Sequence, residues 1–77
     1  MDISVGDRIR YESRGTITYG EVVRIVEDHD ANKNLIEWVH IEYFNPKSPS
    51  LHSIERFSKV SLEQMNPKIT SKAVIES

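Results

Sequence analysis

Apolar residues in this chain recur at every second position and nowhere keep a helical period for the ten or so residues that a stable helix needs. Alternation of this kind specifies extended strands, because successive side chains on a strand point to opposite faces. From Asp7 to Glu12, Ile9 and Tyr11 fall on one side together with Val5, while Arg8, Arg10 and Glu12 fall on the other, which predicts a half-buried strand. Ser13-Arg14-Gly15 supplies turn chemistry, and Thr16 to Val26 follows as a stretch rich in β-branched residues that suit a pleated surface. Gly20 in its middle predicts a bulge or a close backbone approach, so the stretch reads as one long, bent strand. Leu35 to Phe44 is the strongest β segment. Leu35, Val39, Ile41 and Tyr43 share one parity, Ile36, Trp38, His40 and Phe44 the other, and both faces carry apolar groups.

The connections are legible from composition. Glu27 to Asn34 holds one apolar residue, Ala31, and predicts a hairpin loop; Asn45 to Ser50 holds two prolines and predicts another. Leu51 to Phe57 returns as a strand of ambiguous parity. Ser58 to Met65 predicts a short 3₁₀ turn capped by Ser61, with Val60, Leu62 and Met65 folding inward, and Lys68-Ile69 a last short strand. The 77 residues, none of them cysteine, leave room for one domain and no disulfide. A chain this short buries only about 60% of its unfolded surface. The expected fold class is therefore all-β, a small five-stranded barrel over residues 1–69 followed by a flexible tail over 70–77, existing as a monomer or a small homo-oligomer. Closure into a barrel removes exposed strand edges that would otherwise pair with other chains.

Composition narrows the function. Ten Lys or Arg against twelve Asp or Glu give a net charge of −2, mildly unfavourable for binding that depends on displacing counterions from nucleic acid. No apolar run approaches the roughly 20 residues that span a bilayer, and the first residues lack the basic and apolar regions of a signal peptide. A cytoplasmic protein away from membranes is expected. His29, His40 and His52 lack zinc-ligand spacing. Asp28-His29-Asp30-Ala31-Asn32 begins like a calcium loop, yet Lys33 stands where that loop needs glycine and Val39 where it needs glutamate. Neither a nucleophile motif nor a glycine-rich phosphate loop is present. The reading is a non-enzymatic protein with no catalytic residues, no metal and no cofactor.

Gly6-Asp7-Arg8-Ile9-Arg10-Tyr11, followed by Gly20-Glu21-Val22-Val23-Arg24-Ile25, resembles the KOW-type opening of SH3-like small barrels over about the first third of the chain. The resemblance implies an SH3-like barrel and, for function, RNA or DNA binding in transcription or translation. The turn Arg14 to Tyr19 departs from it, carrying less of the glycine and lysine that KOW segments place there. The same barrel plan also serves proteins of unrelated activity, so the resemblance bears on fold more than on function.

Two site assignments follow. The first is a protein-docking patch on the aromatic-rich strand, comprising Trp38, His40, Tyr43 and Phe44, with Tyr19 extending it, since exposed aromatic residues mark contact sites. The expected partner is a protein. The alternative is a nucleic-acid surface on which Arg8, Arg10, Arg14 and Arg24 contact phosphates.

Overall fold

A computed structural model of the chain describes residues 2–45 and 48–73, with backbone alone for residues 44, 45 and 48–52. The described residues are all-β apart from one helical turn. The elements are β1 (Arg8–Ser13), β2 (Thr16–His29), β3 (Leu35–Asn45), β4 (Ser48–Ser58), α1 (Lys59–Glu63) and β5 (Lys68–Ser71). They form a single antiparallel sheet in the order β4-β3-β2-β1-β5, a meander whose last strand returns to the far side of the first.

Turn chemistry fixes the first hairpin. Ser13 pairs with Thr16, so Arg14 and Gly15 are the whole loop, and both take positive φ (53° and 75°). A two-residue loop of this kind matches the right-handed twist of its strands. In β2 the register with β3 shifts between Val22 and Arg24, making Val23 the extra residue of a bulge. The bulge resets the alternation and puts Ile25 on the same face as Val22. Gly20 permits the close approach of β3: a Cβ there would lie 2.5 Å from Ile41 Cγ2 and 2.8 Å from the Glu42 carbonyl oxygen. The long, bent second strand and the close approach at Gly20 are thus both present.

The second hairpin loop is shorter than expected. β2 continues through Glu27, Asp28 and His29, which pair with Glu37, Ile36 and Leu35, and the loop is confined to residues 30–34. Asp30 organises it, its Oδ1 accepting from the Asn32 and Asn34 N–H groups at 2.8 and 2.9 Å. These bonds, the Asn34 N–H foremost, hold the Asp30 carboxyl below its ordinary pKa. The backbone ladder runs past the core here, so polar side chains do not mark its end.

The core comprises Ile9, Tyr11, Val22, Val39, Ile41 and Leu62, with Ile3, Ile25, Phe57, Met65 and Ile69 packed against it. Tyr11 of β1 and Phe57 of β4 meet edge to face with centroids 5.5 Å apart, although their strands are not neighbours in the sheet. Phe57 settles the parity of β4: Phe57 and Glu55 are partly buried, Ile54 and Arg56 exposed. Two expected core residues lie outside. Val5 is more than half exposed because it belongs to the turn before β1, and Leu35 because it opens β3 beyond the core.

β4 begins at Ser48, so the backbone of 48–50 belongs to a strand where proline content predicted a loop. Pro49 is compatible because β4 lies at one end of the sheet order, where a missing donor breaks no ladder. The turn after β4 is a single α-helical turn, not 3₁₀, and its cap is Ser58, not Ser61. Ser58 ends the strand in extended conformation, and its hydroxyl accepts from the Ser61 N–H at 3.2 Å. Leu62 is thereby carried into the core, whereas Val60 stays 68% exposed, contrary to the expected inward fold.

β5 extends to Ser71, two residues past the expected domain boundary. Beyond it the chain is tied to Asp7, which is 0% exposed. Asp7 Oδ1 accepts from the Ala73 N–H (2.7 Å), and Oδ2 accepts from the Ser4 N–H and the Lys72 ammonium (both 2.9 Å). The Asp7 backbone carbonyl accepts from Val22 N–H at 2.8 Å, and Gly6 N–H donates to Val22 carbonyl at 2.7 Å. The Gly6-Asp7 pair thus joins the N-terminal turn, β2 and the end of β5. Burial pushes the Asp7 carboxyl up, but the Ala73 and Ser4 N–H groups and Lys72 outweigh it and leave the pKa below its ordinary value. The remainder of the expected tail, residues 74–77, lies outside the described residues.

Candidate binding surface

The face of the sheet opposite the core is set by the pairing registers. Its first row crosses β2, β3 and β4 as Val26, Trp38 and Ser58; its second as Arg24, His40 and Arg56. A third row runs Arg8, Glu21, Glu42 and Ile54, and a fourth places Lys68, Arg10 and Tyr19 side by side. Rows two residues apart along a strand are separated by about 7 Å. The Val23 bulge aligns this pattern: without the extra residue, Arg24 would fall on the core side of β2.

Trp38 is partly buried, and the Arg56 guanidinium lies 4.4 Å from the centroid of its ring. That stacking draws the cation to the negative face of the indole and holds a flexible side chain in place. Arg24 is exposed, and among the described residues neither it nor Arg56 forms an ion pair. Arg8 differs, its Nε standing 3.7 Å from Glu21 Oε1. Tyr19 and Ile54 add exposed apolar area, at 57% and 60%.

The predicted aromatic patch is divided. Trp38, His40 and Tyr19 share the outer face, but Tyr43 pairs with Gly20 and Ser53 on the core side and lines a recess of about 180 Å³ with Tyr11, Thr18, Arg14 and Glu55. The side chain of Phe44 lies outside the described residues. Of the four predicted arginines, Arg8, Arg10 and Arg24 share the outer face, whereas Arg14, in the β1–β2 turn, lines that recess and an adjoining groove of about 480 Å³ with Glu55, Phe57 and Met65. Tyr11 lines this recess too, and its buried hydroxyl has no hydrogen-bond partner among the described residues. Burial, then the Glu55 carboxylate and Tyr43, push its phenol above the ordinary value of 10.0.

Ile54 is an outer-face residue absent from the predicted sites, and Arg56 can join the predicted arginines only if strand pairing brings it to them. Alternation within β4 puts Ile54 and Arg56 on one side, but their neighbours become visible only when His40 is matched to Arg56 across a ladder sixteen positions apart in sequence. Lys68 reaches Arg10 through a pairing between the two ends of the chain. Among the described residues no three His, Cys, Asp or Glu side chains group as a metal site. Compared with known proteins, the chain matches no family model, no curated sequence and no solved structure.

Proposed function

We propose that the chain is a small, non-enzymatic binding module that docks on a protein partner through the outer face of its sheet, in the cytoplasm. The observation that carries this reading is Trp38 under the Arg56 guanidinium at 4.4 Å, in one continuous face with His40, Arg24, Ile54 and Tyr19. Tryptophan, tyrosine and arginine are the residues over-represented among those that dominate protein–protein binding energy. The bent β2, the β1–β4 contact through Tyr11 and Phe57, and the return of β5 to β1 support a closed SH3-like barrel as the scaffold that holds this face rigid. Tyr43 falls outside the docking surface in this reading.

Nucleic-acid binding is the second reading, favoured by Arg8, Arg10 and Arg24 lying on one face with Arg56 and Lys68. One experiment separates the two. Partners are captured from nuclease-treated native extract on wild-type protein, on Trp38→Ala with Arg56→Ala, and on Val60→Ala, a control outside this face. Each variant is first shown by circular dichroism to be folded. Docking through the outer face predicts capture that survives nuclease, is lost in the double variant and persists in Val60→Ala. Capture abolished by nuclease, or undiminished in the double variant, overturns it.

A further inference from the structure

We infer that the partner segment is amphipathic and acidic, placing an apolar side chain on the Val26–Trp38 row and a carboxylate, two residues further along an extended chain, on the Arg24–His40–Arg56 row. This inference rests on the protein-docking reading and specifies its chemistry. The argument is the order of the rows. An apolar row borders a row of two arginines flanking a histidine, and that row borders a third containing Glu21 and Glu42. The arginines of the second row have no ion-pair partner among the described residues, and one of them, Arg56, lies over the Trp38 ring. A carboxylate lying over His40 would have Arg24 on the β2 side and Arg56, held toward Trp38, on the β4 side, each able to donate two parallel hydrogen bonds.

A polyphosphate chain suits this face less well. Phosphates tracking along the strands would leave the cationic row for a third row whose one arginine, Arg8, already faces Glu21 on one side, and for the Val26–Trp38 row on the other. A protein segment can alternate its own chemistry to match, because side chains two apart on a strand stand about 7 Å apart on one face, the separation of the rows.

Trp38 is the single tryptophan of the chain and reports occupancy directly. Three probes are titrated while its fluorescence is followed: a serine-rich peptide with leucine and glutamate two residues apart, the same peptide with glutamine for glutamate, and a single-stranded oligothymidylate. The expected result is a change in Trp38 emission with the glutamate peptide, which binds more tightly than the glutamine peptide. Arg24→Ala and Arg56→Ala should each weaken the glutamate peptide about two- to fivefold. Arg8→Ala, whose guanidinium faces Glu21, should leave it within error. Equal binding of the two peptides overturns the acidic-partner inference and leaves docking standing. Binding of the oligonucleotide alone overturns both, as does the absence of any response from all three probes up to millimolar concentration.

Discussion

Replacement of Asp7 should cost more stability than replacement of any charged residue on the surface. Its carboxylate is fully buried and accepts three hydrogen bonds, at 2.7 Å from Ala73 and 2.9 Å from Ser4 and Lys72. Asp7→Ala leaves two partly buried backbone N–H groups without their acceptor, each costing near the lower end of the about 1–3 kcal/mol of an unsatisfied buried donor. The Lys72 ammonium is 56% exposed and rehydrates, so its share is nearer the 0.2–1 kcal/mol of a surface pair, again as an order of magnitude. A loss of about 2–4 kcal/mol results, against a total of roughly 4–12 kcal/mol for a domain of 77 residues. Urea denaturation followed by far-ultraviolet circular dichroism measures it. With a slope near 1 kcal/mol per molar, the midpoint should fall by about 2–4 M, whereas Lys72→Ala should move it by about 1 M or less. The pH dependence has a definite sign. Because the folded-state pKa lies below 3.8, the contribution is fully present above that value and is lost as pH falls from it through the folded value. Asp7→Asn should flatten the acid limb. An Asp7→Ala loss below 1 kcal/mol, or one no larger than that of Lys72→Ala, would refute the reasoning.

Two further substitutions probe the core. Gly20→Ala drives a methyl group against Ile41 and the Glu42 carbonyl oxygen, and should destabilise the protein by about 1–3 kcal/mol. Urea titration checks this, and an unchanged midpoint would mean that β2 and β3 pack less closely than described. Tyr11→Phe removes the buried, unpartnered hydroxyl while keeping the ring on Phe57, and should be neutral or stabilise by up to about 1 kcal/mol; a clear loss in thermal denaturation would show that the hydroxyl has a partner. In the wild type, an alkaline absorbance titration should show Tyr11 ionising above the ordinary value of 10.0. Its raised folded-state pKa means that stability is intact below pH 10.0 and falls as pH rises beyond it.

Short-range pattern carried the strands, and long-range pairing carried the surface. Ile9, Tyr11, Val39 and Ile41 all lie on the core face that alternation specifies, because burying one face of a strand selects every second residue. Val5 and Leu35 obey the same alternation yet sit where the strand has not begun or has outrun the core, and periodicity contains no measure of how far the core extends. Ser58 was hidden as a cap because it also ends β4, and a residue with both roles carries the signal of the strand. For the surface, Trp38 and His40 were visible as neighbours on β3, but Arg24 joins them only through the Val23 bulge and Arg56 only through the β3–β4 register. Tyr43 was grouped with Trp38 by proximity in sequence, although their opposite parities separate them across the sheet. The importance of Asp7 was partly legible, since Gly6-Asp7 opens the KOW-like segment, but its acceptance of Lys72 and Ala73 depends on the far end of the chain.

β1 lies between a neighbour that follows it immediately and one that arrives some sixty residues later. During synthesis the β1–β2–β3–β4 meander can assemble in the order in which it emerges, each hairpin closing a short loop at modest entropic cost. Until Lys68 to Ala73 leave the ribosome, however, β1 has an uncovered edge and the Asp7 carboxylate has neither Ala73 nor Lys72 to receive. Closing this edge of the sheet is therefore a long-range event. A chain in which the β1–β5 pairing has not formed leaves its first strand open to pairing with another copy.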